Sequence, residues 1–239
     1  MNDYKHLLWI VAGILTGFLS SLIFGDLLTL PLDLYYLIYF GIVTGFFYIY
    51  IKKTHLDLRK WFSRRLIWGV VLGLIFAVLM ISNVMSRPET IKLAGPYLIW
   101  SIFWRGLVYG VIDGLLLSVF PWLVTWRAFK AEEKPVVQKI GVALLAWVFI
   151  IVMTTLYHLG YADFRSPKII QANIGNTIIS IPTLLSANPV GSPIAHAALH
   201  ISAVIHSPET DLFLPPHRKI TSTNQVKFDE KTGTNFKTK

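Results

Sequence analysis

Five stretches of this chain are long and apolar enough to cross a lipid bilayer, and this restricts the fold more than any other feature. They occupy residues 7–25, 34–51, 66–85, 97–126 and 140–157. A helix needs about 20 apolar residues to span a hydrocarbon core. In lipid every backbone N–H and C=O must be satisfied by the chain itself, so only helices or a closed barrel can cross. The stretches are continuous rather than alternating with period two, which argues against a barrel. Only 15% of residues are charged and 54% are hydrophobic, against roughly 25% charged in a soluble domain. The expected fold is an all-α, polytopic transmembrane helical bundle.

The net charge of +9 is spread along the chain in a way that reports topology. Lys5 precedes the first stretch, six Lys or Arg fall in residues 52–65, and four in 127–139. The alternate connections carry four in all, Arg87, Lys92, Arg165 and Lys168. Basic residues collect on the cytoplasmic side, so the N-terminus is expected in the cytoplasm of a plasma-membrane protein. Loop 52–65 is expected to lie on anionic lipid headgroups, at about 1 kcal/mol per basic residue. A charge dispersed in this way makes no nucleic-acid surface, and no protein partner is specified. The chain has no cysteine, which removes disulfides, thiolate metal sites and thiol nucleophiles. Residues 7–25 lack a small-residue cleavage site and read as a retained span.

Residues 160–205 read as two apolar pieces broken by turn residues. Residues 174–185 contain Asn176 and Pro182; residues 189–205 follow Asn188 and contain Gly191 and Pro193. The second piece is either a short sixth span or a broken, re-entrant segment on the outer side. Six Lys or Arg in residues 207–239 favour a cytoplasmic C-terminus and six spans. The transmembrane domain is therefore expected over residues 1–206, with five or six spans. A polar tail follows at 207–239, expected to be disordered from Thr221.

Arg105 and Asp113 lie inside the fourth stretch, where a charge costs at least ~2.5 kcal/mol unless it faces protein or water. Tyr109 stands four residues from each, so the three share one helix face. Two readings follow: a site for a small polar or anionic solute, or a polar clamp between helices. Asp113 is the only acid inside the five stretches. His196 and His200 are four apart, the spacing at which two imidazoles on one helix can hold a divalent metal such as zinc. Ala197 stands where a zinc protease would carry its general-base Glu. Candidates for a third ligand are His158, Asp163 and Asp113. Entering from outside at Pro189, the last segment would bring His196 and His200 ~10 and ~16 Å deep, against ~12 and ~18 Å for Arg105 and Tyr109. These depths, with His158 at the rim and Asn176 nearby, suggest one outward-facing polar cavity.

The intramembrane Asp113 and the His196/His200 pair in the last apolar segment resemble the ceramidase and progestin-receptor-like hydrolase superfamily. The resemblance implies seven spans and a zinc held by histidines that activates water for amide hydrolysis. It covers those three residues only; the superfamily's early-helix histidines have no counterpart, since the first three stretches contain no His. Three function classes are thus in view. The first is a transporter or binding protein contacting solute through Arg105, Tyr109, Asp113, His158 and Asn176. The second is a metal-assisted intramembrane hydrolase using His196 and His200. The third is a non-catalytic membrane subunit.

Overall fold

The computed structural model describes residues 3–216 and two short strands, Lys227–Phe228 and Asn235–Phe236, which pair antiparallel. Apart from those strands, the tail expected to be disordered lies outside the described residues.

Five helices are long and apolar enough to cross a membrane: α1 (Leu7–Leu27), α2 (Leu32–Thr54), α4 (Leu66–Met85), α5 (Gly95–Ala128) and α6 (Val136–Leu159). The short helix α3 (Leu58–Ser63), capped by the Asp57 carboxylate on Lys60 N–H at 3.1 Å, lies between α2 and α4. Two further helices follow, α7 (Lys168–Ser186) and α8 (Gly191–His206). The protein is an integral membrane helical bundle, and its boundaries follow local chemistry. Pro31, Pro135 and Pro167 precede α2, α6 and α7, where a missing N–H costs nothing because the first helical donors are unpaired anyway. α5 opens on Gly95 at φ +62°, a conformation that suits glycine.

Two sequence expectations are corrected here. α2 begins at Leu32, so Asp33 sits in its first turn and Asp113 is not the only acid within a span. Residues 160–205 do form two pieces broken at Asn188, but the break lies at the other end of the bundle from the one expected. α7 is one helix through Pro182, and its 19 residues cover ~28 Å. The Asn188 turn then lies at the end of the bundle that carries loop 52–65. There Asn188 Nδ2 donates to the carbonyls of Phe62 at 3.2 Å and Arg64 at 2.5 Å. α8 returns to the opposite end, where His206 Nε2 donates to the Arg87 carbonyl at 2.8 Å. Among the described residues, seven helices therefore run between the two ends, and the C-terminal tail leaves from the end opposite loop 52–65.

α8 is the most enclosed helix, packed between α4, α5 and α7. Glycines make that possible. A Cβ on Gly110 of α5 would stand 2.7 Å from Ala197 Cα, and one on Gly73 of α4 would stand 2.9 Å from the Gly191 carbonyl oxygen. Backbones this close are how helices associate in a medium that offers no hydrophobic drive.

α2 and α5 run side by side in the same direction and are pinned at both ends. At one end Arg105 donates two bonds of 2.7 Å to the two oxygens of Asp33, and a third of 2.6 Å to Tyr97. At the other, Arg127 donates to Tyr50 Oη, Thr54 Oγ1 and the Thr54 carbonyl at 2.8–3.1 Å.

Candidate metal centre and its cavity

Between those clamps, α2 and α5 meet in rungs. Asp33 faces Arg105, the Tyr36 ring stacks on Tyr109 with centroids 4.0 Å apart, and Tyr39 donates to Asp113 Oδ1 at 2.7 Å. The four-residue repeat of Arg105, Tyr109 and Asp113 thus makes one stripe, matched by a stripe on α2. α5 is π-helical over Ile102–Val108 and Leu115–Val119, on either side of the α-helical turn Tyr109–Gly114 that carries Asp113. Such widened turns recur at functional sites in helices.

α8 brings its histidines to the other oxygen of Asp113. His196 Nε2 is 3.3 Å and His200 Nε2 3.9 Å from Asp113 Oδ2. The two imidazoles stack with centroids 4.9 Å apart and 12° between planes. One ligand atom from each of the three residues falls within 4.8 Å of the others. Two ligands each ~2.0–2.1 Å from a tetrahedral ion stand ~3.3–3.4 Å apart, so the three donors, within 4.8 Å of one another, must draw inward to hold one. All three are 3–4% exposed. Neither ring nitrogen of His200 has a hydrogen-bond partner, nor does His196 Nδ1. Each buried unpaired polar group costs about 1–3 kcal/mol, so a pure hydrogen-bond role for His200 is poorly supported and a ligand role accounts for it.

The direction of α8 reverses the depths expected for its histidines. The helix starts from the loop 52–65 end, so His196 stands beside Gly114 and Asp113, and it is Ile201 that packs against Gly106 next to Arg105. Among the third-ligand candidates, Asp113 is the one brought to the pair. Asp163 is exposed and lies 3.9 Å from Lys168 Nζ. His158 donates Nδ1–H to the Thr154 carbonyl at 2.8 Å, which leaves its Nε2 as an acceptor.

A cavity of about 470 Å³ adjoins the cluster. Tyr109, Asp113, His158, Asn176, His196 and His200 all line it, and Arg105 does not. Asn176 is nonetheless satisfied by its neighbours: Oδ1 accepts from Ser118 at 3.1 Å and Nδ2 donates to Thr154 at 2.6 Å, tying α7 to α5 and α6. Spacing alone did not single out the phenols around the cavity. Tyr157 Oη lies 2.7 Å from Tyr109 Oη and 3.1 Å from those of Tyr35 and Tyr161, while Tyr161 donates to Tyr35 at 2.5 Å. The pairs Tyr35/Tyr39 and Tyr157/Tyr161, each four apart inside or at the end of an apolar stretch, were the available signal.

No protein-family model matches this chain, and neither a curated protein nor a solved structure is similar enough to match it.

Proposed function

We propose that the protein is a metal-dependent intramembrane hydrolase in which Asp113, His196 and His200 hold one divalent ion such as zinc. The observation that carries this is the convergence of the three donors at the wall of a cavity, with His200 buried and unpartnered at both ring nitrogens. Three protein ligands with a remaining position toward a cavity are the arrangement of catalytic rather than structural zinc. Such an ion makes bound water nucleophilic near neutral pH. The reaction class is cleavage of an acyl–oxygen or acyl–nitrogen bond: water gives its hydroxyl to the acyl carbon and its proton to the leaving atom. His158 lines the same cavity, and its Nε2, left as an acceptor, is the group offered for that proton transfer.

The transport reading loses its main contact, because Arg105 is engaged by Asp33 and Tyr97 and stands off the cavity. Eleven Lys and Arg lie at the loop 52–65 end of the bundle, against four in the connections at the other, where the C-terminal tail with its six Lys and Arg also leaves and weighs against that asymmetry. The asymmetry in the connections supports a cytoplasmic N-terminus in a plasma membrane, with loop 52–65 on anionic headgroups and the cavity toward the outside.

The test is metal analysis of protein purified without chelators and then offered Zn²⁺. The account expects one ion per chain, lost in a His196→Ala/His200→Ala double variant that still elutes as a monodisperse membrane protein. Failure of the unaltered chain to retain any divalent ion overturns the reading.

A further inference from the structure

We infer that the cavity is entered sideways from the bilayer, between α4 and α7, and that its occupant is a membrane-dissolved amphiphile with a hydrocarbon chain. The chemistry at the bound head rests on the metal reading above; the route rests on the cavity alone.

Leu79 of α4 and Ile174 of α7 both line the cavity, yet they are 50% and 56% exposed. A side chain does both where the cavity meets the outer surface; Gln171 and Arg87, exposed and also lining it, continue that mouth toward the end of the bundle. Leu79 and Ile174 each lie six residues, ~9 Å, inside the end of their helices, within the apolar body of the bundle, where that outer surface faces lipid rather than water. Gly175, next to Ile174 on α7, also lines the cavity, and a Cβ there would meet nothing within 4 Å, so a larger side chain has room to fill the space at that point. At the loop 52–65 end the same two helices are closed together, with Gly191 fitted against Pro182 of α7 and the Gly69 carbonyl of α4.

From this opening inward, the lining passes from aliphatic to polar. Met80 and Ile179 are buried on the two flanks, and beyond them stand Asp113, His196 and His200. A water-soluble substrate gains nothing from an aliphatic approach that opens on lipid. An acyl chain can lie along it while the polar head reaches the three ligands. Arg87, exposed at the end of α4 and also lining the cavity, offers a cation near headgroup level.

The test does not need the metal. In full-length protein reconstituted in phosphatidylcholine nanodiscs, a benzophenone amino acid replaces Met80, which is 3% exposed and inside the opening. Irradiation should give protein–phospholipid adducts at position 80, and Gly175→Phe, which fills that space, should reduce them at least tenfold. Adducts at the lipid-facing Leu79 position should survive that substitution. Absence of adducts at position 80 while Leu79 labels, or their indifference to Gly175→Phe, overturns lateral access. A second arm uses the Co²⁺-loaded protein with dodecyl hydroxamate and acetohydroxamate. The account expects the Co²⁺ spectrum to shift with the dodecyl compound at a concentration at least a hundredfold lower, and Gly175→Phe to remove that advantage without changing Co²⁺ content. Equal potency of the two compounds overturns the amphiphile assignment. A protein that gives lipid adducts but binds no Co²⁺ overturns the metal reading and leaves the lateral route standing.

Discussion

Tyr39 donates its hydroxyl proton to Oδ1 of Asp113 at 2.7 Å, while Oδ2 of the same carboxylate faces His196 at 3.3 Å. One phenol thus holds the carboxylate so that its free oxygen points at both histidines. Partners of this kind orient metal ligands, and their loss typically weakens binding 10–100-fold. Tyr39→Phe should therefore retain the fold and weaken Zn²⁺ by about that factor, measured by competition with a calibrated chelator. A drop in thermal stability with unchanged affinity would show that the bond serves packing alone.

Arg105 and Asp33 should behave as a clamp and not as part of the site. Their two bonds are charge-assisted, but Asp33 is 40% exposed, so solvent discounts the pair. Arg105→Ala is expected to cost about 1–2 kcal/mol, with a similar loss in Asp33→Asn and little further loss in the double variant. Thermal unfolding in detergent gives the three values. Metal content should stay unchanged throughout; loss of metal in either single variant would contradict the separation of clamp from site.

Much of the architecture is legible in the sequence, and the misses have physical causes. Residues 7–25, 66–85 and 140–157 announce themselves because nothing charged and no proline interrupts them. α7 does not, because Asn173, Asn176, Thr177 and Pro182 read as turn residues. In the folded chain each of those polar side chains finds a partner across a helix interface, Asn173 on Thr155, Asn176 on Ser118 and Thr154, Thr177 on Trp147. A local reading has no access to partners that distant. Missing α7 then reversed α8, and with it the depth of His196. The metal ligands themselves were visible as an HxxxH pair and an intramembrane Asp. The repeat Gly106, Gly110, Gly114, a small residue at every fourth position, marks the face of α5 that receives α8 and so joins Asp113 to the histidines.

That repeat makes a pair of opposite predictions. Gly110→Leu must push α8 away, because its Cβ would meet the Ala197 backbone at 2.7 Å. It should lower the unfolding midpoint and abolish stoichiometric metal. Gly175→Ala enters open space and improves helix propensity, so it should be neutral or stabilising by up to about 1 kcal/mol with metal retained. Equal tolerance of both substitutions would contradict the packing described for α8.

The reversal of α8 is open to a direct check, because the chain is free of cysteine. Single cysteines at Asp57 and Thr210 lie at opposite ends of the bundle. In intact cells a membrane-impermeant maleimide should label Thr210→Cys and spare Asp57→Cys until the cells are opened. Labelling of both or neither before lysis would mean that an even number of helices crosses, and would remove α7 or α8 from the membrane.

The central claim is that Asp113, His196 and His200 share one ion, and X-ray absorption at the zinc edge of the reconstituted protein tests it most directly. The account predicts a four-coordinate nitrogen/oxygen shell at ~2.0–2.1 Å, with the outer-shell scattering of two imidazoles, reduced to that of one in His200→Ala. A six-coordinate hydrated ion, or two-imidazole scattering unchanged by that substitution, would contradict it.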